Sequence, residues 1–433
     1  MKTSPLFHKL LAATLLFFSI APAVSRAEAP QLELKDNDVW VMTGDSITAQ
    51  RIHTNYIEAY YRTRYPKLKL HFRNSGIGGN RVGSVLARFD YDVAAWKPTI
   101  VSVELGMNDA NGATPSLETY IKGMKELIAK IRAIPAQPVL ISSSPVDDGS
   151  IMGDWKSPRC QNINSFTEAL KKLAEEEKVL FADQYHPLID IWGQNRRKGA
   201  EEAAKSGALP TPPPATPTPT PGPDGKIPPA KPVKPQIPPS LIPLGGDTVH
   251  VGTIGQYNMA AAILKELKAG GEVSSATIGA DGKVVESTRC KITDVSAKDG
   301  KLSFTRLDEA GPWSIPPKAD AALKLLPDTL NLSQYLLRVT GLPEGQYRVS
   351  INGEAAGSVS AKDLNEGWNL TTVTVGFLAK RAQEILALIN KLQSPLNQEW
   401  RAASKANDPE KLAVRPTIPH HIAMLAARMG ACQ

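Results

Sequence analysis

The chain has 433 residues, of which 42% are hydrophobic and 21% are charged, so it is neither a small disulfide-stabilised peptide nor a disordered acidic tail. The formal net charge of +7 falls to +4 without the first 27 residues, which contain Lys2, Lys9 and Arg26 and no acidic residue. Because this small excess is not clustered in one run, the sequence gives no indication of nucleic-acid binding.

Residues 1–27 have the pattern of an export signal. Two lysines precede an apolar run at residues 10–24, and Ser25-Arg26-Ala27 follows as a cleavage site with small residues at its first and third positions. A membrane anchor is the alternative, but the run contains Pro22 and is shorter than the ~20 residues of a membrane span. We expect cleavage after Ala27, export to the periplasm or the extracellular space, and no stable membrane insertion.

Residues 39–182 alternate short β-branched apolar runs with amphipathic stretches, which is typical of β-α-β units. Strands are predicted at 39–42, 68–72, 99–103, 138–142 and 179–182, and helices at 54–65, 82–95, 117–133 and 163–177. The pattern predicts an α/β fold, a three-layer α/β/α sandwich around a parallel sheet.

A proline-rich segment interrupts this pattern. Residues 210–243 contain 15 of the 35 prolines of the chain, including a TPTPTP run. Proline lacks the backbone N–H that helices and sheets require, so we predict an exposed polyproline-like insertion. Helical spacing resumes at 254–267, which places the insertion before the last helix of a hydrolase-sized domain at 28–269.

The remainder of the chain, residues 271–433, is predicted to be an accessory β-rich region that ends in helices. Asn352-Gly353 lies between two alternating runs and is a strong hairpin signal. A final helical stretch is expected at 377–406, broken near Pro395. The pattern leaves two roles open for this region, a packing platform or a substrate-binding region.

Neither the cysteines nor the known motifs indicate a metal or a cofactor. Cys160, Cys290 and Cys432 are odd in number and widely spaced, which favours buried thiols or one bridge with one thiol left over. The Gly-x-Ser-x-Gly, His-Glu-x-x-His and phosphate-loop patterns do not occur. We therefore expect chemistry that uses side chains and the backbone alone.

Polar motifs follow three of the predicted strands. They are Gly44-Asp45-Ser46, the segment 74–80 with Gly78-Gly79, and Gly106-Met107-Asn108-Asp109. The carboxyl ends of parallel strands share one sheet edge, so these loops should converge. The N–H groups of Ser46 and Gly79 and the Asn108 amide could stabilise an oxyanion. Taken singly, Gly78-Gly79 could be a plain turn and Asn108-Asp109 a helix cap.

A fourth motif supplies an acid and a base. Asp247 and His250 lie one helical turn apart, so the carboxylate can hold Nδ1 while Nε2 accepts the proton of Ser46. The other histidines of the mature chain are expected to lack such a partner, with His186 as the nearest rival; they are His53, His71, His186, His420 and His421. Ser46, Asp247 and His250 are therefore the predicted catalytic triad.

These four blocks, in this order, resemble the SGNH hydrolases, also called GDSL esterases, over roughly residues 38–190 and 244–269. The resemblance implies a flavodoxin-like sheet, Ser46 as nucleophile, Asp247 and His250 as acid and base, and an oxyanion hole formed by Ser46, Gly79 and Asn108. Two departures, Met107 for a common glycine and Val251 for a common proline, touch no reacting group.

The segments Gly-Asp-Ser-Ile-Thr and Gly-Gly-Asn-Arg look similar to those of exported carbohydrate deacetylases of this family. By that analogy we expect an exported serine esterase that removes acetyl or other short acyl groups from a polysaccharide through an acyl-enzyme. Arg81 could contact a polar substrate or remain a solvated residue at a helix start. A lipid or aryl-ester hydrolase of the same family and a noncatalytic glycan-binding protein are the alternatives.

Overall fold

Five parallel strands form the central sheet in the order β2-β1-β3-β4-β5. They are β1 (Val39–Gly44), β2 (His71–Gly76), β3 (Ile100–Glu104), β4 (Gln137–Ile141) and β5 (Leu180–Ala182). This is the flavodoxin-like order, and the fold class expected from the sequence is confirmed. Strand β1 has β2 on one side and β3 on the other, so Gly44 lies opposite both Gly76 and Glu104. The chain adds β2 on one side of β1 and the later strands on the other side, so the strand order reverses at β1. Open α/β sheets bind ligands at the carboxyl ends of the strands beside such a point.

The computed structural model describes residues 32–111, 116–149, 157–207, 239–313 and 315–406. The predicted export signal, Cys432 and most of the proline-rich segment lie outside these ranges. Within them, none of the helices combines the length and the apolar composition that crossing a bilayer requires. Cys290 is a free thiol, and the Cys160 sulfur lies buried 3.6 Å from the Val146 carbonyl oxygen.

Helices cover both faces of the sheet. They are α1 (Ser46–Ala49), α2 (Ile52–Arg64), α3 (Val82–Asp92), α4 (Leu117–Ala133), α5 (Pro158–Glu177), α6 (Tyr185–Lys205) and α7 (Thr253–Glu266). Alternate residues of β1 enter different cores: Val41 packs with α3, α4 and α5, whereas Trp40 and Met42 pack with α2 and α7. The β1 side chains from Trp40 to Thr43 are almost fully buried, as expected for a parallel strand covered on both faces.

Helix α4 has the bounds predicted from its periodicity, and its ends explain why. The Ser116 hydroxyl caps the first turn by accepting from the Thr119 N–H, and Arg132 lies in the last turn, where a cation is favourable. Apolar residues at helical spacing, among them Met124 and Ile128, are buried in the core.

Strand β2 is displaced from its predicted position. The sequence predicts a strand at 68–72, where the apolar residues lie, but the structure has it at His71–Gly76. Its second half carries Arg73, Asn74 and Ser75, which are buried. Hydrogen bonds make this burial possible: the Asn74 amide, for example, donates to the Thr48 carbonyl and the Thr54 hydroxyl. The apolar residues therefore end before the strand does.

Helix α6 has no counterpart among the helices predicted from the sequence.

The accessory region begins with β6 (Glu272–Gly279), β7 (Val284–Thr288), β8 (Cys290–Lys298) and β9 (Lys301–Asp308), and continues with α8 (Ala322–Leu325), β10 (Gln334–Thr340), β11 (Gln346–Ile351), β12 (Glu354–Ser360), α9 (Ala361–Glu366), β13 (Trp368–Asn369) and α10 (Gly376–Ala406). Its described strands form a four-stranded sheet, β13-β10-β6-β7, and two hairpins. The predicted hairpin is present as β11 and β12, with positive φ angles of 49° at Asn352 and 79° at Gly353.

The predicted break near Pro395 is wrong, because α10 continues through it from Gly376 to Ala406. A proline inside a helix removes one hydrogen bond, here to the carbonyl of Lys391, and costs about 3 kcal/mol. The adjoining Ile389 and Leu392 are buried, which offsets the cost.

The accessory region packs directly on helix α2. The indole of Trp313 donates to the Tyr56 carbonyl at 3.0 Å. The Gln393 amide of α10 donates at 3.0 Å to both the Glu58 carboxylate and the Phe72 carbonyl of β2. Trp313 also belongs to the same apolar core as α2 and α7. The division of the chain at residue 270 stays a prediction, and these contacts cross it.

Candidate active site

Ser46 lies where the first strand turns into a short helix. Strand β1 ends at Gly44, and the Asp45 side chain caps α1 by accepting from the Ile47 N–H at 2.9 Å. This cap starts the helix at Ser46 itself and leaves the serine half-buried at the carboxyl end of β1. The turn therefore presents the hydroxyl at the sheet edge that the sequence predicts.

His250 reaches this serine from the other end of the domain. Its Nε2 lies 2.8 Å from Ser46 Oγ, although 204 positions separate the two residues in the chain. Its Nδ1 lies 3.0 Å from Oδ2 and 3.2 Å from Oδ1 of Asp247. The structure thus brings the three predicted triad residues into one hydrogen-bonded chain from carboxylate to imidazole to hydroxyl.

The loop at residues 245–252 holds the acid and the base together. The Asp247 N–H donates to the His250 carbonyl at 3.1 Å, and the Gly252 N–H donates to the Gly245 carbonyl at 2.8 Å. Gly246 has a φ of +73°, and a β-carbon there would lie 2.0 Å from the His250 carbonyl oxygen. Only glycine fits at this position, so the glycines before Asp247 are part of the site's construction.

Asp247 is held in its charged form. Backbone N–H groups of His250 and Val249 donate to Oδ1 at 2.7 and 2.8 Å, and these bonds with the imidazole lower the pKa of Asp247 to about 2. Its side chain is 64% exposed, so water also solvates the charge. A permanent anion at Nδ1 orients the imidazole with Nε2 toward the serine.

The two other predicted loops meet beside Ser46. Gly79, with a φ of +75°, is the third residue of a turn closed by a hydrogen bond from the Asn80 N–H to the Ile77 carbonyl. The Asn108 amide donates to the Asn80 carbonyl at 3.1 Å and to Asp45 Oδ2 at 3.3 Å. Asn108 therefore connects the second loop to the first.

The residues next to Asn108 have structural roles. The Asp109 carboxylate accepts from the Val82 N–H at 3.1 Å, at the start of α3, so a helix-capping role applies to Asp109 rather than to Asn108. Met107 is buried in the apolar core, which explains how a large side chain can stand at a position where a glycine is common.

The expectation that the other histidines lack a carboxylate partner is wrong for two of them. His186 Nδ1 lies 2.6 Å from Asp183, which has the same three-residue spacing as Asp247 and His250, but its Nε2 faces Glu168 at 3.1 Å. His53 Nε2 lies 3.0 Å from Glu104. The pairing of His250 is thus distinguished by the serine at its second nitrogen.

A buried polar cluster under Ser46 was not predicted. Glu104, at the end of β3, accepts from Thr48 at 2.8 Å and from Gln184 at 2.8 Å, and it pairs with His53. Burial alone would raise the pKa of Glu104, but these partners lower it below its usual value. The one sequence signal was a charged residue at the end of an otherwise apolar strand.

Asp45 has an unusual titration. Burial, reinforced by the charge of Glu104, raises its pKa from 3.8 to about 7. The folded protein therefore binds a proton at Asp45 that the unfolded chain has released, and stability falls as the pH rises between these two values. Burial lowers the pKa of His53, but Glu104 outweighs burial and raises it. The stabilisation that the protonated His53 gives to the folded protein is therefore also lost as the pH rises.

We expect Asp45→Asn to remove part of this pH dependence. Urea unfolding of the wild type should show a lower free energy at about pH 8 than at about pH 5, and the variant should show a smaller decrease. Asp247→Asn is the control: the pKa of Asp247, about 2, lies below that range, so the decrease should match the wild type. Equal decreases in the wild type and Asp45→Asn would contradict the assignment.

No group of three or more His, Cys, Asp or Glu side chains within the described ranges is arranged to hold a metal ion. The hydrogen-bonded chain that ends on a serine hydroxyl, with an amide beside it, has the parts that nucleophilic acyl transfer requires.

Comparisons with known proteins show which family this chain is similar to. The sequence profile of the GDSL-like Lipase/Acylhydrolase family matches residues 42–202. An acetylxylan esterase from Geobacillus stearothermophilus is 28% identical over 137 residues, which are 30% of this chain and 60% of that protein. The match thus spans less than two thirds of the relative's length.

One solved structure shows the shared fold over most of the chain. A gut microbial diltiazem-metabolizing enzyme aligns over 93% of this chain and 96% of its own, with a TM-score of 0.68 and 20% identity. An acetylxylan esterase structure from Geobacillus stearothermophilus aligns over 55% of this chain and 96% of its own, with a TM-score of 0.39 and 20% identity. The profile match over residues 42–202, together with the motifs and the fold, supports membership of this chain in the SGNH family of GDSL-like lipases and acylhydrolases.

Proposed function

We propose that the protein is an exported serine esterase that removes acetyl or other short acyl groups from a carbohydrate. The esterase activity rests on one observation, the 2.8 Å contact between His250 Nε2 and Ser46 Oγ with Asp247 at Nδ1. The carbohydrate substrate is supported by the similarity to an acetylxylan esterase and by the two sequence segments noted above. Export is supported by the pattern of residues 1–27.

In the first half of the reaction, His250 Nε2 takes the proton of the Ser46 hydroxyl as Oγ attacks the carbonyl carbon of the ester. The carbonyl oxygen becomes an oxyanion, and the Asn108 amide and the N–H groups of Ser46 and Gly79 donate to it. When the C–O bond to the sugar breaks, the imidazolium of His250 gives its proton to the sugar oxygen, which leaves as a hydroxyl, and the acyl group remains on Oγ.

In the second half, water attacks the acyl-enzyme. His250 Nε2 takes a proton from the water, a second oxyanion forms, and its collapse breaks the bond to Oγ. The proton on the imidazolium returns to Ser46, and the carboxylic acid leaves. Asp247 stays ionised throughout, because its pKa of about 2 lies far below neutral pH.

The Asn108 amide has a bond that it can give up to the oxyanion. Its longer bond, 3.3 Å to Asp45, is the weaker of the two. The raised pKa of Asp45 means that this carboxyl is partly protonated near neutral pH, and a neutral carboxyl is a poorer acceptor than a carboxylate. Donation to the developing negative charge therefore replaces a weak contact.

Replacing Asn108 by alanine should lower kcat about 10²–10³-fold, because the oxyanion loses one donor. KM should change little, since the donor acts mainly on the charge that develops in the transition state. Initial rates with p-nitrophenyl acetate measure both constants. Asn111→Ala, at an exposed position three residues later, is the control and should retain wild-type rates. Wild-type kcat in Asn108→Ala would remove Asn108 from the oxyanion hole.

Acetate release tests the proposed substrate. We would incubate the purified protein with acetylated xylan, pectin, rhamnogalacturonan and peptidoglycan, and with p-nitrophenyl esters of increasing chain length. Acetate from a polysaccharide and a preference for acetate or butyrate esters are expected. A preference for long acyl chains without polysaccharide deacetylation would favour a lipid esterase, and the absence of hydrolysis of every ester would end the esterase proposal.

A further inference from the structure

We propose that Gln256 is a positioning residue that sets the distance between Ser46 and His250, supported by the buried pair of His53 and Glu104. This inference rests on the proposed esterase function, because it assigns a role in that same site. It concerns residues that touch neither the substrate nor the reacting atoms.

Gln256 lies between the two segments that must meet. It is fully buried on α7. Its Nε2 donates at 3.0 Å to the carbonyl of Val251, the residue that follows His250. The same Nε2 donates at 2.6 Å to the side-chain oxygen of Gln50, the C-cap of the short helix that begins at Ser46. One amide nitrogen therefore connects the segment of the nucleophile to the loop of the base.

The other end of the Gln256 side chain is fixed by His53. Its Oε1 accepts from the His53 N–H at 3.1 Å and faces His53 Nδ1 at 3.2 Å. Because both of these contacts favour an oxygen, they determine which end of the amide faces Val251 and Gln50. A flipped amide would direct its nitrogen at the donors of His53.

His53 is held in turn by Glu104. Its Nε2 lies 3.0 Å from Glu104 Oε2, so both ring nitrogens face acceptors. Burial lowers the pKa of His53, but the charge and hydrogen bond of Glu104 outweigh burial and raise it, which favours the imidazolium with two N–H donors. Glu104 also accepts from Thr48, two residues after Ser46.

This arrangement links both halves of the catalytic geometry to the end of β3. Thr48 and Gln50 lie on the segment of Ser46, and Val251 lies on the loop of His250. Thr48 is bonded to Glu104, and both Gln50 and Val251 are bonded to Gln256. A buried polar network in which the donors and acceptors are matched permits few alternative arrangements. Since proton transfer depends steeply on distance, loosening this link should slow turnover.

Gln256→Met tests the inference because methionine has a similar volume but cannot bond to Val251, Gln50 or His53. We expect kcat for p-nitrophenyl acetate to fall about 10–100-fold, with KM changed less than about twofold because no substrate contact is lost. Labelling of Ser46 by a fluorophosphonate should slow in parallel, since it also requires proton removal by His250.

Asn258→Leu is the matched control. Asn258 is also fully buried on α7, and its amide donates to the Ala322 carbonyl at 3.1 Å, away from the active-site loop. We expect Asn258→Leu to lose about as much thermal stability as Gln256→Met while its kcat stays unchanged. If both variants lower kcat equally, the effect of Gln256 is one of stability alone and the inference is overturned.

A pair of surface variants covers the case in which Gln256→Met fails to fold. Gln50 is exposed, and its Oε1 accepts from Gln256. Gln50→Ala should lower kcat several-fold, whereas Gln50→Glu keeps an acceptor oxygen and should restore it. Equal kcat in the wild type and Gln50→Ala would overturn the inference alone. A wild type without activity on any ester would overturn the proposed function and the inference together.

Discussion

Replacing Ser46 by alanine is expected to lower kcat for ester hydrolysis at least about a thousandfold. The substitution removes the oxygen that lies 2.8 Å from His250 Nε2, so no acyl-enzyme can form. The fold should persist, because the contacts that build this turn are made by the Asp45 cap and by the backbone. Rates with p-nitrophenyl acetate, together with mass spectrometry of the rapidly quenched protein, measure turnover and the acyl adduct.

Ser165→Ala is the control for this experiment. Ser165 is an exposed serine on α5 whose hydroxyl donates to the Gln161 carbonyl of its own helix, so its removal should leave turnover unchanged. An acyl adduct of the wild type that is absent from Ser46→Ala would identify the nucleophile. Undiminished hydrolysis by Ser46→Ala would sink the serine mechanism.

The second large effect is expected for His250→Ala, again at least about a thousandfold in kcat. Without the imidazole, neither the serine nor the attacking water has a base to accept its proton, and the leaving sugar oxygen has no proton donor. KM should change less than kcat, because the imidazole acts on protons rather than on binding. The measurement is a full rate profile against substrate concentration.

The chain contains a closely matched control histidine. His186 is bonded to Asp183 at the same spacing, and its side chain is 33% exposed, compared with 34% for His250. The two differ in what faces Nε2, which is Glu168 for His186 and Ser46 for His250. His186→Ala should therefore keep near wild-type turnover. If it reduced kcat as strongly as His250→Ala, contact with the serine would not explain the effect.

Patterns of local origin were predictable from the sequence. The apolar runs of β1, β3, β4 and β5, the helical spacing of α4 and the Asn352-Gly353 hairpin depend on residues close together in the chain, and the structure has all of them. The convergence of Ser46 and Asn108 was also predictable, because the carboxyl ends of parallel strands share one sheet edge. His250 follows no strand of this sheet, and its role was inferred from its spacing to Asp247 and from the family resemblance. Their catalytic roles stay predictions until the variants are measured.

Features that depend on hydrogen-bond partners in distant parts of the sequence were not predictable. The polar half of β2 could not be recognised as a strand, because its burial is balanced by partners such as Thr48 and Thr54 in other segments. His53 shows no carboxylate nearby in sequence, since Glu104 lies 51 positions later on another element. Gln256 carries no motif at all, and its role emerges only when Val251 and Gln50 are placed around it.

The packing of α10 on α2 has a consequence for protein engineering. Glu58 is a fully buried carboxylate whose pKa burial raises, and Gln393 of α10 donates a hydrogen bond to it, as does Arg62. Helix α2 also contains His53. A truncated enzyme that ends after residue 270 would keep every residue of the triad but expose the outer side of this helix, so a minimal version should be sought by shortening surface loops instead.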